Sequence, residues 1–62
     1  MTLLVTCDGY DERMSVWSDM DDIDECRVQL GKRNTLTVTT DDPSIRTQLE
    51  CDDRVTAVEV VE

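Results

Sequence analysis

The sequence has no histidine and no phenylalanine, and it contains only one lysine, one proline and two glycines. Without histidine it lacks the residue that most often serves as a general acid or base near neutral pH. It has no glycine-rich phosphate-binding loop and no nucleophile elbow, and 62 residues are too few to enclose a deep cleft. These absences argue against an enzyme, and they indicate no catalytic residue and no cofactor.

The cysteines are Cys7, Cys26 and Cys51, an odd number with no C-x-x-C pair. This spacing indicates neither a disulfide framework nor a zinc knuckle. Free cysteine is among the most buried residue types, so we expect Cys26 and Cys51 to pack in the interior. Cys7 ends an apolar run beside Asp8, which leaves a reactive thiol with a redox or soft-metal role as an alternative for that residue.

Long apolar runs are also missing, and the first residues lack the basic segment of a signal peptide. Free cysteines are typical of a reducing compartment. We therefore expect a cytoplasmic protein that does not bind a membrane. Residues 1–62 form one small domain, which buries only about 60% of the surface that its unfolded chain exposes. A domain of this size often depends on a second copy for support.

The charge is strongly acidic, with 15 Asp and Glu against six Lys and Arg and a formal net charge of −9. Repulsion between so many like charges destabilises the compact state. Molar salt shortens the screening length to about 3 Å and removes most of this cost. The acid-rich, lysine-poor and weakly aromatic composition resembles that of proteins from salt-in halophilic archaea. The resemblance implies an adaptation to a cytoplasm of high salt.

Residues 19–25 are the densest acidic stretch and invite comparison with a calcium-binding loop. The EF-hand pattern fails, because its sixth position lacks glycine and its twelfth position lacks glutamate. We interpret the stretch as solvated surface and predict no metal site.

Four segments have the pattern of strands. Thr2–Cys7 contains three consecutive apolar residues, which is typical of a central strand with both faces covered. Cys26–Leu30 and Thr35–Thr40 each alternate apolar with polar residues, and the four residues 31–34 between them predict a hairpin. Residues 55–61 form the last strand, which is apolar on both faces and needs cover on each.

Residues 43–51 predict the main helix. Asp42 has the side chain of an N-cap, and Pro43 suits the first helical position because its missing N–H needs no partner there. Ile45 and Leu49 are one helical turn apart, so we expect both to face the sheet.

The segment between Asp8-Gly9 and residue 25 has two interpretations. Residues 13–17 could form a strand that returns from the Asp8-Gly9 turn, and the β-branched and aromatic residues Val16 and Trp17 favour it. Ser18 or Asp19 would then cap a short helix or begin an ordered loop. A helix is the alternative, because Tyr10, Met14 and Trp17 follow an i, i+4, i+7 spacing.

Both interpretations give a two-layer α+β domain with a four- to five-stranded, mainly antiparallel sheet, with or without a second short helix. If residues 10–24 contribute a helix, the order is that of a ferredoxin-like βαββαβ fold. A chain of this order and length is similar in outline to heavy-metal-associated domains, but it lacks their paired cysteines after the first strand. One or two short helices cannot cover the sheet, so we expect its exposed face or its final strand to pair in a twofold homodimer.

The only basic cluster consists of Arg27, Lys32 and Arg33, with Asn34 beside it. A basic hairpin can contact phosphate or enter a nucleic-acid groove, so a nucleic-acid-associated protein is the alternative function. A solvated turn is the simpler interpretation. The only aromatic residues, Tyr10 and Trp17, would mark a contact with a protein partner if exposed, and otherwise fill the core.

Overall fold

The computed structural model describes all 62 residues. Its elements follow the order β-α-β-β-α-β. They are β1 (Thr2–Cys7), α1 (Tyr10–Asp21), β2 (Cys26–Leu30), β3 (Thr35–Thr40), α2 (Pro43–Glu50) and β4 (Val55–Val60).

The four strands form one antiparallel sheet in the order β2-β3-β1-β4. β1 and β3 are central, as predicted for β1, and β2 and β4 are the edges. Both helices lie on one face of the sheet, because their buried residues join one core with alternate residues of β1 and β3. The predicted small α+β domain is confirmed, and its strand order is that of the ferredoxin-like alternative.

The preferred interpretation of residues 13–17 as a strand is wrong, because the segment lies within α1. This helix has 12 residues and is therefore longer than α2, which has eight. Arg13, Val16 and Met20 are its buried residues, and their spacing of three and four is the period of a helix. Packing of this face outweighs the strand preference of Val16 and its aromatic neighbour.

The start of α1 also differs from the prediction. Gly9 precedes the first helical residue in an extended conformation, and no side chain caps the helix there. Ser18 and Asp19 lie inside the second half of α1, so neither is the cap of a separate helix. Residues 22–25, the remainder of the acidic stretch, connect α1 to β2.

The hairpin and α2 form as predicted. β2 and β3 pair from Cys26 opposite Thr40 to Leu30 opposite Leu36, and residues 31–34 connect them. The Asp42 carboxylate caps α2 by accepting a hydrogen bond of 2.9 Å from the backbone N–H of Ser44. Ile45 and Leu49 of α2 are buried, as expected from their spacing.

The core lies between the helices and one face of the sheet. Its nine buried residues are Leu3, Val5, Cys7, Val16, Met20, Leu36, Val38, Ile45 and Leu49. Burying a large apolar side chain contributes about 1.5–3 kcal/mol, so these few residues supply most of the stabilisation.

The edge strands are covered incompletely. Leu30 at the end of β2 is 47% exposed, and Val60 at the end of β4 is 42% exposed. Ala57 on the other face of β4 is also exposed. The cover that the sequence indicates for both faces of the last strand is therefore not supplied within one chain.

Arg54, just before β4, links α1 to the connection between α2 and β4. Its guanidinium pairs with Asp52, after α2, at 2.6 Å and with Asp19 of α1 at 2.8 Å. It also donates a hydrogen bond of 2.7 Å to the hydroxyl of Ser15. The hydrogen bond from Arg54 holds the pKa of the Asp52 carboxyl below its usual range, and the two carboxylates raise the pKa of Arg54.

Candidate functional site

The face of the sheet opposite the helices, here called the open face, is covered by no other element. Side chains alternate between the faces of a strand, and cross-strand partners share a face, so the residues can be assigned from the register. They are Thr2, Leu4 and Thr6 of β1, Arg27 and Gln29 of β2, Thr35, Thr37 and Thr39 of β3, and Ala57 and Glu59 of β4.

Threonine dominates the two central strands of the open face. Its β-branched side chain favours a strand and presents one methyl group and one hydroxyl group to solvent. Leu4 is the only large apolar residue among the ten, and its neighbours leave it half-buried. The centre of the open face is therefore built from short side chains around one leucine.

One row of residues crosses the whole open face. Gln29 lies opposite Thr37, Thr37 lies opposite Leu4, and Leu4 lies opposite Glu59. The row therefore begins with a polar amide on β2, passes over the centre, and ends with a carboxylate on β4.

The open face contains almost none of the negative charge of the chain. Only one of the 15 acidic residues, Glu59, lies on it, and Arg27 is its only base. Asp24, Glu25 and Asp41 lie beside one end of the open face, where they line a surface depression with Arg27 and Thr39. Depletion of charge from the centre of a surface is characteristic of protein interfaces.

The predicted basic cluster is divided between two places. Lys32 and Arg33 lie in the hairpin connection, whereas Arg27 lies opposite Thr39 near the other end of β2. Gly31 is four positions beyond Arg27 along the chain, which is about 13 Å in a strand. Arg27 therefore belongs to the open face and not to a site with Lys32 and Arg33.

Asn34 has a structural role in the hairpin connection. Its side-chain amide donates a hydrogen bond to the carbonyl oxygen of Cys7, and the backbone N–H of Cys7 donates one of 2.8 Å to the carbonyl oxygen of Asn34. Arg33 before it has a left-handed backbone with φ of 57°. These contacts fix the connection against the end of β1 and occupy the Asn34 amide.

The two aromatic residues have different environments. Tyr10 in the first turn of α1 is 63% exposed, and the guanidinium carbon of Arg13 lies 4.9 Å from its ring centroid. Trp17 is half-buried and packs against the core. The exposed Tyr10 is therefore available for contact with a partner, although neither aromatic residue is on the open face.

Arg13 is a buried residue that sequence reasoning missed. Its side chain donates a hydrogen bond of 3.0 Å to the carbonyl oxygen of Gly31, while its Nε atom is buried without a partner. The only sequence sign of this role is the spacing of Arg13 with Val16 and Met20 on one helical face. Arg13 connects α1 to the hairpin.

The three cysteines differ in exposure. Cys7 is buried at the end of β1, and burial raises the pKa of its thiol, which is the opposite of what a reactive thiolate needs. Cys26 is half-buried, and Cys51 after α2 is exposed. The expectation that Cys51 packs in the interior is therefore wrong, because α2 directs Ile45 and Leu49 to the core instead.

No group of three or more Cys, Asp or Glu side chains is arranged to hold a metal ion. The acids Glu25, Asp41 and Asp42 line a surface depression with Pro43 at the start of α2. Three of its four lining residues are acidic, so the depression is part of the solvated acidic surface.

Comparison with protein-family models, with curated proteins and with solved structures finds no match to this chain. Neither α1 nor α2 has the length and apolar composition needed to cross a membrane.

Proposed function

We propose that this chain is a non-enzymatic, homodimeric interaction module of a halophilic, archaeal-type cytoplasm, and that two copies associate through the open face. The observation that carries the proposal is the distribution of charge. In a molecule of net charge −9, the uncovered side of the sheet contains a single acidic residue, Glu59. Selection for solubility alone gives no reason to keep acids away from this side.

The size of the domain supports the same proposal. A stable interface takes about 800 Å² from each partner, which is roughly a fifth of the 4088 Å² of accessible surface of this chain. A second copy would cover Leu4 and the methyl groups of the threonines, which adds apolar burial that one small core lacks.

High salt makes this association compatible with the acidic surface. At molar salt the screening length is about 3 Å, so the acids on the outer sides of two copies barely repel each other. Apolar contacts at the open face are not weakened by screening. We therefore expect dimerisation to be strongest in the salt that the composition indicates.

The proposal is tested by light scattering in molar KCl on the wild-type chain and on Leu4→Arg. The wild type is expected as a dimer, and the variant as a chain of 7.1 kDa. Two guanidinium groups forced into the centre of the interface are expected to cost about 2 kcal/mol or more, which weakens the dimer roughly thirtyfold.

Gln48→Arg on the exposed side of α2 is the matched control, because it adds the same charge away from the open face. This variant is expected to remain dimeric. Circular dichroism establishes that both variants are folded. A wild-type chain that stays monomeric in molar KCl at high protein concentration would refute the proposal.

A further inference from the structure

The two charged residues of the open face have opposite signs and lie at opposite edges. Arg27 is on β2 and Glu59 is on β4, which places them three strand spacings apart, or about 14 Å. Neither residue forms a salt bridge within the chain. Each is thus an exposed charge without an intramolecular partner.

Symmetry limits how two open faces can stack. In a twofold dimer each surface meets its own copy, and the axis lies in the plane between the two sheets. An axis across the strands would place β4 over β4 and β2 over β2. Glu59 of one copy would then lie near Glu59 of the other, and Arg27 of one copy would lie over the β2 strand that contains Arg27 of the other. Like charges would therefore come together at both edges.

An axis along the strands has the opposite effect, because it places β2 of one copy over β4 of the other. We propose that the second copy binds in this orientation, with Arg27 and Gln29 of each copy contacting Glu59 of the other. The inference rests on the proposed homodimer and specifies its geometry. Packed sheets with nearly aligned strands are a common arrangement in proteins.

The cross-strand row makes the pairing self-complementary. When the row is turned about a midpoint between β3 and β1, Gln29 lies over Glu59 of the second copy and Thr37 lies over its Leu4. Arg27 is one row away from Glu59, about 7 Å along the strands, which is a diagonal distance that long side chains span. Both ion pairs then form at the rim, and leucine and threonine form the centre.

The test uses two charge-reversing variants, Arg27→Glu and Glu59→Arg, measured by light scattering at the lowest KCl concentration in which the wild type is dimeric, because molar salt would screen charges at the rim. Each variant alone places like charges together twice across the twofold axis, so its dimer is expected to be about tenfold weaker or more. In an equimolar mixture, the Arg27→Glu chain has an acid at both positions and the Glu59→Arg chain has a base at both. The mixture is therefore expected to dimerise about as tightly as the wild type.

Arg46→Glu and Glu50→Arg form the matched control pair, because they make the same changes of net charge on the exposed surface of α2. Both controls are expected to dimerise like the wild type, alone and mixed. If a reversal variant fails to fold, Arg27→Gln and Glu59→Gln replace it and are expected to weaken the dimer several-fold.

The outcomes separate this geometry from the proposed function. The pairing would be overturned if the wild type is a dimer and the variants have the same dissociation constant. It would also be overturned if the mixture dimerises no more tightly than either single variant. In both cases the proposed homodimer would still stand. Such a result would be expected if β4 paired edge to edge with its copy instead. A monomeric wild type would overturn both proposals.

Discussion

Arg54 connects α1 to the segment between α2 and β4. Its guanidinium contacts Asp52 in that segment and both Ser15 and Asp19 of α1. The side chain is 31% exposed, so water screens its interactions only in part. A charged group with several directed hydrogen bonds stabilises more than a single exposed ion pair.

We expect Arg54→Met to lower the free energy of unfolding by about 1–2 kcal/mol, because it removes these contacts while retaining an apolar side chain. Arg46→Met is the matched control, since it removes only an exposed i, i+4 pair with Glu50 and changes the net charge equally. That pair contributes about 0.3–0.5 kcal/mol. Urea unfolding in constant molar KCl measures the free energy of unfolding of both variants. An equal decrease in the two variants would contradict the assigned role of Arg54.

At the residue scale, sequence reasoning identified the cap of α2 but not the burial of Arg13. Asp42 and Pro43 act through local geometry, which a few adjacent residues determine. The position of Arg13 depends on the carbonyl oxygen of Gly31, 18 residues away in the chain. No local pattern predicts that an arginine will occupy a helical position that usually holds an apolar residue.

Among the elements, α1 and the hairpin respond differently to added side chains. A Cβ atom at Gly9 would lie 2.8 Å from Oε2 of Glu12, at the flexible end of that side chain. A Cβ atom at Gly31 would lie 2.5 Å from Oγ1 of Thr35 and 3.2 Å from its backbone oxygen. The first contact is relieved by a rotation, whereas the second involves the hairpin backbone.

Gly9→Ser is therefore expected to stabilise the protein by about 0.5 kcal/mol, because it gives α1 the side-chain cap that it lacks and restricts the unfolded chain. Gly31→Ser is expected to destabilise it by about 1–2 kcal/mol through overpacking against Thr35. Thermal unfolding of the two variants beside the wild type checks the signs. Destabilisation by both would show that Glu12 cannot move away.

Most elements could be predicted from local patterns, and α1 shows why the prediction was incomplete. The alternation of Cys26–Leu30 and Thr35–Thr40 and the capped start of α2 are strong local patterns, and both are confirmed. α1 has glycine at its N-cap and arginine on its buried face, so both usual helix patterns are weak. Its formation depends on packing against the sheet.

For the whole molecule, the dominant property is the unbalanced acidic surface. Asp21, Asp22 and Asp24 are exposed and have no salt-bridge partner within the chain. Their mutual repulsion opposes folding in dilute buffer and is screened in molar salt.

We expect the melting temperature to rise by roughly 5 °C or more between dilute buffer and molar KCl, which corresponds to about 1 kcal/mol in a domain of this size. The triple variant Asp21→Asn, Asp22→Asn, Asp24→Asn is expected to melt higher than the wild type in dilute buffer and to depend less on salt. Calorimetry at fixed protein concentration measures both. Equal melting temperatures of the wild type in the two conditions would reject the halophilic interpretation.

The sequence indicated that one chain cannot cover its sheet, but not which residues remain uncovered. That assignment requires the register between strands, since a shift of one residue would exchange the two faces. Only the three pairings of β2 with β3, β3 with β1, and β1 with β4 together show that Arg27 and Glu59 share a face. The charge pattern of the open face is a property of the sheet and not of any one strand.

The pairing of β1 with β4 has a consequence for synthesis. Of the four strands, β1 leaves the ribosome first and is central in the sheet, yet one of its two neighbours, β4, is the last of the four to be made. Until Val55–Val60 emerges, one edge of β1 remains without its partner and can template pairing with another nascent chain. Contacts between distant segments also form slowly. We therefore expect this protein to aggregate most readily in the interval between the synthesis of β1 and the completion of the sheet.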